Sequence, residues 1–295
     1  APQPQRHPEP APGESITVET NLYVATFTTR GAALTSWELK KYRSSVDSKS
    51  LVQLVRQGGK FVEPLTVTAD EAALSKELRD GLYKVEKDFT TLDQSHPTGH
   101  VTFSYQNPAT GVRLEKQLTF HADRYIVDIA LRPSGLSGPL KVELGTNFGI
   151  VEWGEGFIGS VGSASLIDDK IDTSLPASDV EQKGTLKWTA LQDKYFLSAL
   201  IPKGPAVALP KGQGEKLVSN AVRLTGDSSG SPLELQLYAG PKEYDTLQSL
   251  QIRLEDTIDF GWFLFGSWDT VRAVAKPIFY VLRYINDYTH NYGLT

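Results

Sequence analysis

Residues 100–133 read HVTFSYQNPATGVRLEKQLTFHADRYIVDIALRP, and this stretch decides the fold class. HVTFSYQN and GVRLEKQLTFHA are rich in β-branched and aromatic residues and are separated by NPATG, whose Pro and Gly suit a short hairpin. RYIVDIALRP follows, with Ile126, Asp128 and Ala130 opposite Tyr125, Val127, Ile129 and Leu131. Period-two patterning of this kind marks strands. The same texture extends in both directions. Upstream lie SITVET (15–20), LYVATFTTR (22–30) and ALTSWELKKY (33–42), the last two joined by a turn at Gly31 and Ala32. Leu22, Val24 and Thr26 alternate with Tyr23, Ala25 and Phe27, which predicts a sheet covered on both faces. Downstream lie PLKVELGTNFGIV (139–151), KYFLSALIP (194–202), KLVSNAVRLTG (216–226) and PLELQLYAG (232–240). Many strands, frequent Gly/Pro turns and few helices predict a mainly β protein, a large β-sandwich. Short helical turns are expected at 70–78 (DEAALSKEL) and 244–250.

The two ends of the chain differ from this body. Residues 1–13 (APQPQRHPEPAPG) form a Pro-rich linker that stays extended and cannot pack a core. Residues 14–257 hold the β pattern. Residues 258–295 include an aromatic cluster (Phe260, Trp262, Phe263, Phe265) followed by helical spacing: Val271, Val274, Ile278, Leu282 and Ile285 are separated by three, four, four and three. Asp269 is an acceptable N-cap and Pro277 predicts a kink. Arg272, Lys276 and Arg283 recur on other parts of the helix surface, while Tyr280, Tyr284 and Tyr288 share a stripe. Such an element suits the plane of a membrane surface or a partner's groove. The other reading is a terminal helix docked on its own domain.

Composition narrows the function. The 295 residues carry 30 basic and 35 acidic side chains, a net charge of −5. That argues against nucleic acid as a partner. Cysteine is absent, which rules out a thiol nucleophile, thiolate metal sites and disulfides. Methionine is absent as well, even at position 1, so the chain is expected to begin inside a longer parent or to have been processed or trimmed. No apolar run reaches the ~18–20 residues that span a bilayer, and the chain is expected to be water-soluble.

No catalytic pattern emerges. IGSVGS (158–163) has its glycines at the wrong offsets for a nucleophile elbow. KGQGEK (211–216) is a Gly-rich turn between strands rather than a phosphate loop. The histidines are His7, His96, His100, His121 and His290. His96 and His100 have the helical metal spacing, but Pro97 and Gly99 between them predict a surface loop. Asp168, Asp169 and Asp172 lack the Gly and Glu of a calcium loop and read as a solvated turn. Neither a metal nor a cofactor is expected. Large sandwiches can also bind or epimerise sugars with a His and a Glu across an open groove, which makes a carbohydrate-binding or aldose-epimerase-like sandwich the alternative. Trp37, Trp153, Trp188 and Tyr195 are candidate groove aromatics, or else they fill the core.

Several segments carry a resemblance. DFGW (259–262), AKPIFYVL (275–282) and NYGL (291–294) resemble the YidC-type bacterial membrane protein insertase family, in the segment that joins its periplasmic domain to its membrane bundle. KWTALQDKYFLSALIP (187–202), YAGPKEYDTLQSL (238–250) and NLYVATFTTRGAALTSWELKKY (21–42) are similar to further elements of that family. GSWDTVRAV (266–274) is longer than the usual link. The resemblance implies a twisted β-supersandwich of galactose-mutarotase type with C-terminal helical segments, at the periplasmic face of a bacterial inner membrane. It implies a parent that folds and inserts inner-membrane proteins, alone or with the Sec translocon. Expected partners are Sec accessory subunits, nascent inner-membrane proteins, and the membrane surface through Phe260, Trp262, Phe263, Phe265, Arg272, Lys276, Pro277, Phe279, Tyr280, Arg283, Tyr284 and Tyr288. No catalytic residue carries over, so the role is expected to be non-enzymatic.

Overall fold

The computed structural model describes residues 13–56, 58, 61–136, 138–153, 161–178, 180–225, 231–258, 277–278, 281–282 and 284–285. The strands in chain order are β1 Ser15–Glu19, β2 Tyr23–Thr28, β3 Leu34–Arg43, β4 Leu51–Gln53, β5 Val67–Ala69, β6 Lys84–Lys87, β7 Thr98–Gln106, β8 Arg113–His121 and β9 Ile126–Ser134. They continue with β10 Leu140–Thr146, β11 Gly162–Ile167, β12 Lys170–Asp172, β13 Leu186–Gln192, β14 Phe196–Pro202, β15 Ala206–Ala208, β16 Lys211–Gly212, β17 Val218–Leu224 and β18 Leu233–Pro241. Helices α1 (Ala72–Asp80) and α2 (Tyr244–Gln248) fall where the sequence places them, and a 3-10 turn covers Leu254–Thr257.

One large antiparallel sheet organises the molecule. Its nine strands run β12-β11-β13-β14-β18-β9-β8-β7-β6. The hairpin predicted at 107–111 sets β7 against β8 in continuous register, with Phe103 opposite Lys116 and His100 opposite Thr119. Two smaller sheets cover its inner face. The four-stranded sheet β1-β2-β3-β4 lies over one half, where Phe27 meets Phe103 and Phe120 at ring distances of 5.8 and 5.9 Å. The sheet β15-β17-β10-β5 lies over the other, with β17 packed on β11, β13 and β14. A buried polar network crosses between these layers: Asn220 Nδ2 donates to Thr189 Oγ1 (2.6 Å) and Ser163 Oγ (3.0 Å), and Thr189 pairs with Ser165. Each polar atom buried there has a partner, which keeps the network from costing stability.

The two smaller sheets meet at a seam stitched by connecting segments. Leu34 N donates to Pro64 O, Leu65 N to Glu143 O, and Thr146 N to Val62 O, while Leu54 links Trp37 to Gly149. Residues 62–66 thus tie the start of β3 to β10. Lys116 reaches this seam from the opposite layer. It alternates with Leu114, Leu118 and Phe120 on the inner face of β8. Its Nζ donates to Ala32 O and, at 2.8 Å, to Leu65 O.

A third layer covers part of the outer face. Trp188, Ala199 and Tyr238 point outward by register, and Trp188 Nε1 donates to Ile252 O at 2.9 Å. The segment from α2 through the 3-10 turn lies there, burying Leu247 and Leu254. The rest of the outer face carries Gln117, Thr119, Asp128, Arg132 and Gln236 and needs no cover.

Three expectations require correction. The β2 sheet is not buried on both faces: Tyr23, Ala25 and Phe27 are buried but Val24, Thr26 and Thr28 are only half-buried, because one sheet packs against it. His100 lies in β7 and not in a loop; Pro97 and Gly99 stop a helix without stopping a strand. Trp37 and Trp188 are fully buried and cannot line an open groove. Trp37 stacks on Tyr23 at 3.9 Å and meets Phe148 edge-on. Replacing Trp37 by Ala should cost about 3–5 kcal/mol, the range for large-to-small changes in packed cores, read as a lower urea midpoint.

Candidate functional site

An aromatic groove forms where the β13–β14 turn, the end of β3 and the β18–α2 junction meet. Asp193 builds it. This aspartate is almost fully buried, which is rare for an acidic side chain. Its Oδ1 accepts from Tyr195 N and Phe196 N, both at 2.8 Å, and Oδ2 accepts from Val151 N (2.8 Å) and Glu152 N (3.1 Å). Four backbone donors compensate the buried charge and lock the turn, leaving Tyr195 55% exposed. Lys194 lies over the Tyr195 ring at 5.0 Å.

The G-P-K segment completes the wall. Lys242 N donates to Tyr195 O (2.7 Å), and Lys242 Nζ bonds Gln192 Oε1 (3.0 Å) and Asp193 O (3.1 Å). Gly240 is required by close packing, since a Cβ there would sit 2.7 Å from the Tyr125 ring. Tyr42, at the end of β3, meets Phe196 edge-on at 5.4 Å and donates to Glu243 Oε1. Burial, then that bond, pushes the Tyr42 phenol well above its ordinary range. The groove so formed is floored by Val52, Val151, Phe196 and Pro241 and rimmed by Arg43, Lys194, Lys242, Glu152 and Glu243. It continues across Glu243 into a second depression lined by Lys41, Arg124, Tyr125, Thr246 and Leu250.

Of the four candidate aromatics, only Tyr195 faces this groove. Trp153 is half-buried against the core. His121 bonds Asp128 at 2.8 Å on the outer face, where Gln236 and Lys203 also reach that carboxylate. Burial alone would raise the Asp128 carboxyl, but these partners outweigh it and hold it below the ordinary range. His100 bonds Asp88 at 2.7 Å. Among the described residues, His100 and His121 are each held by an aspartate. Asp168 and Asp169 form the β11–β12 turn, as expected. Among the described residues no group of three or more His, Cys, Asp or Glu is placed to hold a metal.

The C-terminal candidates divide differently. Phe260, Trp262, Phe263, Phe265, Arg272, Lys276, Phe279, Tyr280, Arg283 and Tyr288 lie outside the described residues, as do His7, His290, linker residues 1–12 and the segment before Pro277 where a kink is expected. Pro277, Ile278, Val281, Leu282, Tyr284 and Ile285 are helical and exposed. Among the described residues no helix is long and apolar enough to cross a membrane.

Asp193 was not singled out from sequence, although an aspartate between two strands followed by Lys-Tyr-Phe is a recognisable side-chain-to-backbone turn. Asp193→Ala should cost about 3 kcal/mol by stranding buried amides, whereas Tyr195→Ala should cost under about 0.5 kcal/mol because the ring is exposed. Urea titrations of both variants check this.

The profile of the YidC periplasmic domain matches residues 15–281. The membrane protein insertase YidC of Geotalea daltonii is 28% identical over 306 residues, covering 95% of this chain and 53% of that protein. That of Maridesulfovibrio salexigens is 27% identical over 301 residues, covering 96% and 52%. The chain thus spans about half the length of the curated relatives it matches. Among solved structures, a galactose mutarotase related enzyme from Lactobacillus acidophilus is 9% identical with a TM-score of 0.44, covering 77% of this chain and 97% of that one. A galactose mutarotase-like protein from Lactobacillus casei is 12% identical with a TM-score of 0.43, covering 77% and 100%. With the profile spanning residues 15–281 and every strand of the β body, the chain belongs to the YidC periplasmic domain family.

Proposed function

We propose that this chain is a periplasmic, non-enzymatic part of a membrane protein insertase, which assists insertion and folding of inner-membrane proteins alone or with the Sec translocon. In this reading residues 1–13 are a spacer, residues 14–257 are the β-supersandwich body, and residues 258–295 lie along the outer surface of the inner membrane. The body docks a Sec accessory subunit, and the aromatic groove around Tyr195 cradles an extended segment of a nascent inner-membrane protein.

One observation carries this reading. Ile278, Val281, Leu282 and Ile285 follow the i, i+3, i+4, i+7 pattern of one helix face, and all are 37–58% exposed. In water such a stripe is unfavourable by roughly 25 cal/mol for each Å² of apolar surface left uncovered. Inserted at headgroup depth it is covered, with the Arg272, Lys276 and Arg283 cations available to anionic lipid phosphates. The tyrosines at 280, 284 and 288 suit the same interfacial depth.

Flotation of the full chain with phosphatidylglycerol-containing vesicles tests the assignment. The unaltered chain should float. A Val281→Asp/Leu282→Asp chain, changed only at exposed positions, should remain in the lower fraction with its thermal midpoint unchanged. Equal flotation of the two chains, or none by either, would remove the interfacial role.

A further inference from the structure

Lys116 is the one buried lysine among the described residues, 1% exposed at the middle of β8. Its Nζ donates only to neutral acceptors, the carbonyls of Ala32 and Leu65. Both acceptor residues have left-handed backbone, with φ of 48° and 62°, which aims their carbonyls into the core from two separate turns. One turn opens β3 of the four-stranded sheet. The other belongs to residues 62–66, which pair with β10 of the neighbouring sheet. A single ammonium or amine group therefore bridges the two sheets exactly where they adjoin, from a strand belonging to neither.

We propose that Lys116 is a proton-operated latch on this seam, which holds the two smaller sheets together while its amine is neutral and loosens their junction when it is protonated.

The surroundings support this role. Phe103 on β7 lies 5.7 Å from Nζ and offers the ammonium only its ring face. The charged groups on the packed elements are Arg30 beside Ala32, Glu63 beside Leu65, and Glu143 on β10. Neither carboxylate pairs with Nζ, whose partners are the two carbonyls. Burial raises the Glu63 carboxyl, and the Arg30 charge offsets this in part. On the same strand, Glu115 faces outward to Arg132. Burial without a carboxylate partner disfavours the charged amine and lowers its pKa from 10.5 to about 7. Opening the seam returns Nζ to water, where an ordinary lysine titrates near 10.4. The open state thus binds more protons between these values. The closed seam gains stability as pH rises through 7 and loses it as pH falls. With those two values, the open fraction should be about tenfold larger at pH 6 than at pH 8.

Hydrogen exchange of the full chain at pH 6 and pH 8, corrected for intrinsic rates, tests the proposal. Protection of the seam amides of Leu34, Leu65, Glu143 and Thr146 should fall about tenfold at the lower pH. Amides of the β7–β8 hairpin should change much less. Lys116→Gln keeps a donor without the titration and should abolish the difference, while Glu63→Gln should leave it in place. Equal seam protection at the two pH values in the unaltered chain would overturn the latch, as would a step that persists in Lys116→Gln. Should the Gln chain fail to fold, the unaltered chain still decides, since direct NMR titration of the Lys116 amine near 10 rather than near 7 would also overturn it.

Discussion

A nine-stranded sheet exposes more apolar surface than one small sheet can cover, and two covering sheets must then adjoin somewhere. That junction is the constraint on which the rest of the structure depends. Strands at a junction present unpaired backbone groups to the core, where each costs free energy unless satisfied. Here residues 62–66 pair on both sides, and Lys116 supplies donors to the two carbonyls that no strand reaches. A buried lysine is an expensive way to supply them, because the charged form is poorly solvated in the core. Its long stem lies on the apolar inner face of β8, which also carries Leu114, Leu118 and Phe120, while its head crosses between layers.

The groove follows from the same architecture. Its walls come from three elements distant in sequence: β3, the β13–β14 turn, and the entry to α2. Asp193 keeps the middle element rigid, so that an aromatic ring can stand in solvent without collapsing onto the core. Positional rigidity of this kind lowers the entropic cost of binding a flexible partner. Groove residues and the third-layer segment share α2, which places the groove close along the chain to the point where it leaves the β body.

Family membership and fold carry different weights here. The profile match places the chain in the YidC periplasmic domain family. The likeness to mutarotase-type proteins is one of fold alone, and His100 and His121 each bond an aspartate. Sandwich folds of this size host unrelated functions, and what a chain does is read from its site.

Much of the fold was legible in the residues. Alternation over 100–133 specifies β7, β8 and β9 because a two-residue period survives wherever one face is buried. DEAALSKEL and the Tyr244 segment carry enough local pattern to announce α1 and α2. The helical stripe through Ile278, Leu282 and Ile285 is equally explicit. Strands of two or three residues, such as β4, β5, β12, β15 and β16, escaped because a two-residue period cannot repeat within them. Local spacing also cannot say which tryptophan is interior: Trp37 and Trp188 sit in strands whose inward and outward faces are assigned only when layers stack on both sides. Lys116 shows where the limit lies. Its place among Leu114, Leu118 and Phe120 marks it as inward-facing from sequence alone. Its partners, 84 and 51 residues away, were decided by tertiary structure, because only the meeting of two sheets creates carbonyls in need of a donor.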